Sequence, residues 1–289
     1  MAQTTVNGLS IAYELIGEAN TGRSWVLTPG GRFTKESPGL RELATALADA
    51  GDRALIWDRP NCGDSDVCFD GPSESAMQAD TLAALLRELD LAPTVIAGGS
   101  AGARVSLLTA ARHPDISAGL ATWWISGGVY GLLSLAVYYC GESLRAAWTE
   151  GMEAVAALPE WQESIQRNPA TRDRILAQDR VEFIASMERW MGAYCDCGGE
   201  TIPGLPDSDA QVLDVPALVF RSGTSDPHHT RATSERVATL LPRAELVEPP
   251  WGDREWIDRG KARERGEGLF ARWPLLAPQL LEWADNRLG

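Results

Sequence analysis

Gly98-Gly99-Ser100-Ala101-Gly102 sets a serine among glycines, directly after one apolar run and directly before an amphipathic one. Thr94 to Ala97 reads as a buried strand, and Val105, Leu107, Leu108 and Ala111 recur at helical spacing until Pro114 stops the helix. A sharp strand-to-helix turn leaves no room for side chains beside the serine. It lifts the hydroxyl into the open at a helix N-terminus, where the helix field stabilises developing negative charge. A serine so placed is a candidate nucleophile, but its hydroxyl attacks only when a neighbouring base takes its proton.

Candidates for that base are few, because the chain holds three histidines: His113, His228 and His229. His113, in Arg112-His113-Pro114, falls at the far end of the helix that follows Ser100 and reads as a surface residue. His228 and His229 follow Asp226 within Asp226-Pro227-His228-His229-Thr230, beyond the apolar strand Leu218-Val219-Phe220. The loop leaves the carboxyl end of that strand, so either imidazole can reach the face that bears Ser100. The same residues could instead line an interface or begin the next helix.

The elements that must position these groups alternate strand and helix at both ends of the chain, the pattern of a mostly parallel sheet with crossover helices. Ile11–Leu15 is expected as an edge strand after the Asn7-Gly8 turn. Trp25–Thr28 is a second strand, ending in Pro29-Gly30-Gly31, and Ala54–Trp57 a third, followed by Asp58-Arg59-Pro60-Asn61-Cys62-Gly63-Asp64-Ser65. Helices run through Leu40–Leu47 and Leu82–Leu89, and Leu120–Ile125 is a further strand. From 127 to 214 the pattern turns helical and rich in Trp, Tyr and Met. Strand and helix resume with Pro216–Phe220, a helix through Val237, a strand near Leu246 and a closing helix through Trp283. The expected division is therefore a core over 1–126 and 215–289, with a helical cap over 127–214 lying above the carboxyl ends of the strands.

With these motifs in this order, the chain resembles the α/β-hydrolase superfamily. Pro29-Gly30-Gly31 looks like its oxyanion loop, with proline in the histidine place, and Asp58 to Ser65 is similar to its Asp-x-Arg-Gly-x-Gly-x-Ser turn. Ser100 falls on the nucleophile, and Ser222-Gly223-Thr224-Ser225-Asp226 matches the turn of the triad acid. The resemblance implies the fold, an oxyanion hole from the amides of Ala101 and of Gly31 or Arg32, and a triad histidine just after the last strand. There the chain has Pro249-Pro250-Trp251-Gly252-Asp253, so aligned on the glycine, Asp253 stands in the histidine position.

Three chemistries remain open. His229 or His228 replaces the missing base; or Asp253, lying close to Asp226, serves as a carboxylate base, as in the sedolisin peptidases, whose serine is paired with a glutamate; or Ser100 acts as a hydrogen-bond donor that assists carbon–carbon cleavage, a lyase step or a ring closure. The expected reaction is hydrolysis of a small, largely apolar ester, lactone, amide or carbonyl-adjacent carbon–carbon bond through Ser100, with an atypical triad. A cofactor-independent lyase or cyclase, and an inert small-molecule binder, are the alternatives. Arg32 beside the oxyanion loop is a candidate for a substrate carboxylate, or else a salt-bridge partner of the cap. Trp123, Trp124 and Trp251 end strands and are candidates to floor an apolar pocket.

Bulk properties narrow the partners. A net charge of −14 over 289 residues argues against nucleic acid and anionic membrane. No apolar run reaches the roughly 18 residues that span a bilayer. Five cysteines without an export signal fit reduced thiols in the cytoplasm, and Cys195-Asp196-Cys197 would need further ligands to hold a metal. The expected partner is a small-molecule substrate, with a homodimer left open and neither cofactor nor metal required.

Overall fold

The computed structural model describes residues 2–18, 22–195 and 199–288. Asp196 and Cys197 of the cysteine cluster therefore lie outside the described residues. The strands are β1 (Ala2–Val6), β2 (Leu9–Ile16), β3 (Ser24–Thr28), β4 (Arg53–Trp57), β5 (Thr94–Gly99), β6 (Ser117–Trp123), β7 (Ala217–Phe220) and β8 (Ala244–Val247). They form one sheet in the order β1-β2-β4-β3-β5-β6-β7-β8. β1 and β2 pair antiparallel, as do β2 and β4, and every pairing from β4 onward is parallel.

The sequence reading made Ile11–Leu15 the edge. Instead β1 adds outside it, through a tight turn in which both Asn7 (φ 51°) and Gly8 (φ 76°) take the left-handed conformation that two-residue hairpins need. β1 is polar and largely exposed, which hid it from a search for apolar runs.

Crossover helices cover both faces: α1 (Leu40–Asp49), α2 (Glu74–Glu88) and α3 (Ala101–Arg112) in the first part, and α11 (Arg231–Leu240), α12 (Glu255–Glu264) and α13 (Ala277–Arg287) in the second. One apolar layer joins Val26, Leu55 and Ile96 to Leu82, Leu86, Val105 and Leu108 of α2 and α3. The opposite layer joins Trp25, Leu27, Ile56 and Ala97 to Leu43, Leu47, Leu280 and Trp283 of α1 and α13. Successive strand residues thus face opposite layers, and each core helix presents one apolar stripe to its own.

Between β6 and β7 the chain inserts α4 (Val129–Ala136), a π-helical turn (Val137–Gly141), α5 (Glu142–Thr149), α6 (Met152–Ala157), α7 (Pro159–Arg167), α8 (Ala170–Leu176), α9 (Arg180–Gly192) and α10 (Asp207–Ala210). Most of this insert packs around its own aromatic cluster of Tyr139, Trp161, Phe183, Trp190 and Tyr194, which Phe69 and Met77 join from the core. No helix among the described residues is long and apolar enough to cross a membrane.

Candidate active site

Ser100 sits between β5 and α3 with φ 58° and ψ −119°, a conformation that costs an L-residue energy unless its surroundings impose it. The surroundings do so through close backbone approach. A Cβ on Gly102 would lie 2.0 Å from the Thr28 carbonyl oxygen, and one on Gly98 would lie 2.7 Å from the Gly102 carbonyl carbon. The Ser100 amide donates to the carbonyls of Trp123 (3.2 Å) and Trp124 (3.1 Å), tying the turn to the end of β6.

The imidazole that faces the serine comes from the loop after β7. His229 Nε2 lies 2.9 Å from Ser100 Oγ, and His229 Nδ1 lies 2.8 Å from Asp226 Oδ2. Acid and imidazole are only three residues apart. The loop is stiffened by the acid itself, since Asp226 Oδ1 accepts the amides of His228 (2.9 Å) and His229 (3.0 Å). Thr230 then caps α11 through the Thr233 amide. His228 turns its ring toward Tyr130 and Trp256 and lines the cavity mouth, away from the serine contact.

Burial of the His229 ring drives its pKa below the ordinary value; the pull of Asp226 the other way is not enough to reverse this, and Arg259 adds to the lowering. Burial alone would raise the Asp226 carboxyl. The His229 hydrogen bond and the nearby Arg259 charge outweigh burial and hold it below the usual range. The resting pair is therefore a carboxylate beside a neutral imidazole, which leaves Nε2 free to accept a proton.

Asp253 is the main correction to the sequence reading. Its carboxylate does not reach Ser100 or Asp226: it is 54% exposed and ion-paired to Arg231. Its backbone carbonyl accepts from Ser225 Oγ (3.0 Å), so the loop braces the back of the acid turn. Gly252 (φ 76°) turns the chain there, and the space beside Asp226 is taken by His229 and by Arg259 of α12. Aligning one glycine could not reveal which side chain faces Ser100.

For Arg32 the structure contradicts the substrate-carboxylate reading and stands nearer the alternative of a tie to the insert. Its guanidinium pairs with Glu74 (2.8 Å), donates to the Tyr139 carbonyl (3.1 Å) and lies over Trp161 (4.8 Å), joining core to insert rather than entering the cavity. Trp123 is fully buried edge-on against Trp273 (4.9 Å) beneath Gly99, below the cavity floor. Trp251 packs on Trp124 (5.7 Å) from outside, whereas Trp124 itself lines the cavity. His113 pairs with Asp80 (2.8 Å) at the far end of α3.

The oxyanion-loop candidates are positioned from below. The turn after β4 buries Asp58, which takes Lys35 Nζ at 2.8 Å, and it brings Arg59 under the glycines. Arg59 Nη2 donates to the carbonyls of Gly31 (2.5 Å) and Gly30 (3.3 Å). Within a trans peptide C=O and N–H point opposite ways, so the amides of Gly31 and Arg32 are directed away from Arg59. The Ala101 amide is the first of α3 and has no acceptor within the helix.

A cavity of about 450 Å³ opens on Ser100 and His229, walled by Phe33, Trp124, Tyr138, Trp256, Leu269 and Phe270. A larger surface cleft of about 520 Å³, around Leu132, Thr230 and Arg236, does not include the serine. Sequence reasoning passed over Trp256, Arg259 and Arg263, all of which line the Ser100 cavity from α12. Their spacing places them on one helix face, a signal that was present in the sequence but had no motif attached to it.

No family model and no curated protein matches this sequence. Solved structures do match over nearly the whole chain. An N-acyl homoserine lactone degrading enzyme, Est816, superposes with TM-score 0.60 at 19% identity, covering 97% of this chain and 99% of that one. The meta-cleavage product hydrolase from Pseudomonas fluorescens IP01 gives 0.61 at 18% identity, covering 99% and 98%. The enol-lactonase from Burkholderia xenovorans LB400 gives 0.54 at 24% identity, covering 92% and 97%. Together with the strand order and the helical insert after β6, these likenesses establish that the chain has the α/β-hydrolase fold.

Proposed function

We propose that this protein is a serine hydrolase whose triad is Ser100, His229 and Asp226, with the base carried on the acid's own loop. The observation that carries the reading is the continuous hydrogen-bond chain from Asp226 Oδ2 through both ring nitrogens of His229 to Ser100 Oγ. That contact favours a nucleophilic serine over one that merely donates to a substrate, because a neutral buried imidazole is placed to receive its proton.

In the proposed cycle His229 Nε2 takes the Ser100 proton as Oγ bonds to the substrate carbonyl carbon. The resulting oxyanion is held by the amides of Ala101 and of Gly31 or Arg32, and Asp226 stabilises the imidazolium. His229 then returns the proton to the leaving group, and water repeats the sequence to free Ser100. The segment 127–214 acts as a cap, with Ser134, Leu135 and Tyr138 closing one side of the cavity. The apolar walls suit a small ester, lactone, amide or a carbon–carbon bond next to a carbonyl; two of the structural neighbours act on lactones by their descriptions.

A fluorophosphonate probe tests the reading. Ser100 is expected to label, and labelling is expected to fall by orders of magnitude in His229→Ala. A wild-type protein that stays unlabelled while folded would refute the nucleophilic role.

A further inference from the structure

The charge around the cavity runs opposite to the charge of the chain. The sequence holds 40 Asp and Glu residues against 26 Lys and Arg, yet among the described residues no Asp or Glu lines the Ser100 cavity; Asp226 and Glu255 stand behind its wall. Two arginines do, Arg259 and Arg263, one helical turn apart on α12.

Arg259 is held in one position. Its guanidinium carbon lies 3.8 Å from the Trp124 ring centre and 4.8 Å from that of Trp256. Nη2 donates to Asp226 (3.2 Å), and Nε lies 3.4 Å from Glu255. The remaining nitrogen, Nη1, makes no hydrogen bond, although the side chain is only 6% exposed. Nη1 is not among the side-chain nitrogens buried without a partner, so it stays open to the cavity, and a fixed guanidinium with an unused edge at a cavity wall is suited to an incoming anion. The Arg259 charge is met on one side by the Asp226 carboxylate and on another by Glu255, whose carboxyl burial raises to about 7, and both partners lie away from Nη1. Arg263 stands nearer the mouth, exposed, and its side chain makes no ion pair among the described residues.

We propose that Arg259 and Arg263 form an anion subsite, and that the natural substrate carries a carboxylate on an aliphatic or aromatic body beside the bond that is cleaved. The apolar body lies along Phe33, Leu269 and Phe270, while the carboxylate is gripped by Arg263 and by the free edge of Arg259. This assignment rests on the hydrolase reading for the reaction but not for the binding, and the two are separable by experiment.

The turnover arm compares mono-p-nitrophenyl glutarate with its methyl ester, which share the leaving group and differ in the charge. Wild-type protein is expected to prefer the acid by about tenfold in kcat/KM at low salt, and the preference is expected to shrink as ionic strength rises. In Arg263→Gln the acid-over-ester ratio falls toward one, and Arg263→Lys retains part of it. The ratio is read within each variant, so a general loss of activity cancels. The binding arm needs no chemistry: calorimetry of 4-phenylbutyrate against 4-phenylbutyramide on Ser100→Ala, with and without Arg263→Gln. Tighter, Arg263-dependent binding of the carboxylate supports the subsite even if no ester is cleaved, an outcome that would count against the hydrolase reading alone. Equal turnover of acid and ester, with the carboxylate bound no better than the amide, overturns the subsite and leaves the hydrolase reading in place.

Discussion

The loops that follow β7 and β8 lie side by side and are built from similar residues, yet they have divided the work unequally. The β7 loop carries Asp226 and His229, both buried, with the acid's oxygens shared among two backbone amides, an imidazole and a guanidinium. The β8 loop, to which the fold-family resemblance assigns the base, carries the exposed Asp253, whose backbone rather than carboxylate touches the acid turn. An imidazole serves Ser100 from wherever its two nitrogens can meet hydroxyl and carboxylate. Its place in the sequence is secondary to its place in space.

Substitutions at the two loops should separate them sharply. His229→Ala is expected to lower kcat by at least about a thousandfold, while Asp253→Asn stays within about twofold of wild type, both measured with an activated ester. A collapse in Asp253→Asn with survival of His229→Ala would reverse the comparison. Asp226→Asn should cost up to about 10⁴ in kcat with the fold retained by circular dichroism, because the imidazole loses its orientation and the charge that stabilises its protonated form.

The pH profile sharpens the same point. Burial lowers the His229 pKa, so its imidazole is already neutral at pH values where an ordinary histidine would be half protonated, and it can act as the proposed base there. The acid limb of kcat/KM is therefore expected below pH 6.5, with activity falling as pH drops through it. A limb at or above the ordinary histidine value would argue against the buried His229 as the group that titrates.

A smaller effect concerns stability at the edge of the site. Glu255 binds its proton more tightly in the folded chain, at about 7, than the 4.5 of an unperturbed carboxyl. A folded state that binds more protons loses stability as pH rises, here between about 4.5 and 7, on the order of 1–3 kcal/mol. Glu255→Gln should flatten that slope in denaturant titrations; an unchanged slope would show that Glu255 is not the group responsible. The smallest change is expected from removing the exposed Arg231–Asp253 pair by Asp253→Asn, which should shift stability by less than about 1 kcal/mol.

What could be read from the sequence was local. Gly98, Gly99 and Gly102 around Ser100 announce a backbone so crowded that a Cβ would strike neighbouring atoms, and residues that satisfy such a demand are visible in any one sequence. The alternation of strand and helix, and its interruption over 127–214, follow from apolar periodicity and gave the fold class in the same way. Asp226 and His229 were both on view as neighbours, but nothing in the sequence could choose between His229, His228 and Asp253.

That choice was made by tertiary structure. Ser100 and His229 are 129 residues apart, and their 2.9 Å contact exists because β5, β6 and β7 lie adjacent and parallel, with all their carboxyl ends at one edge. The remaining residues around the site were hidden for the same reason. Arg59 reaches the Gly30-Gly31 carbonyls across the sheet edge, and Arg259 enters from α12, slotted between Trp124 and Trp256. Arg59 stands in a turn that the sequence shows, but its reach to those glycines does not follow from spacing, and Arg259 belongs to no motif. The sequence by itself determined the turn that exposes the serine, because backbone sterics act between near neighbours. Only the packing of distant strands and helices decided which imidazole meets it, and which charges surround it, because those contacts form between groups that the chain keeps far apart until it folds.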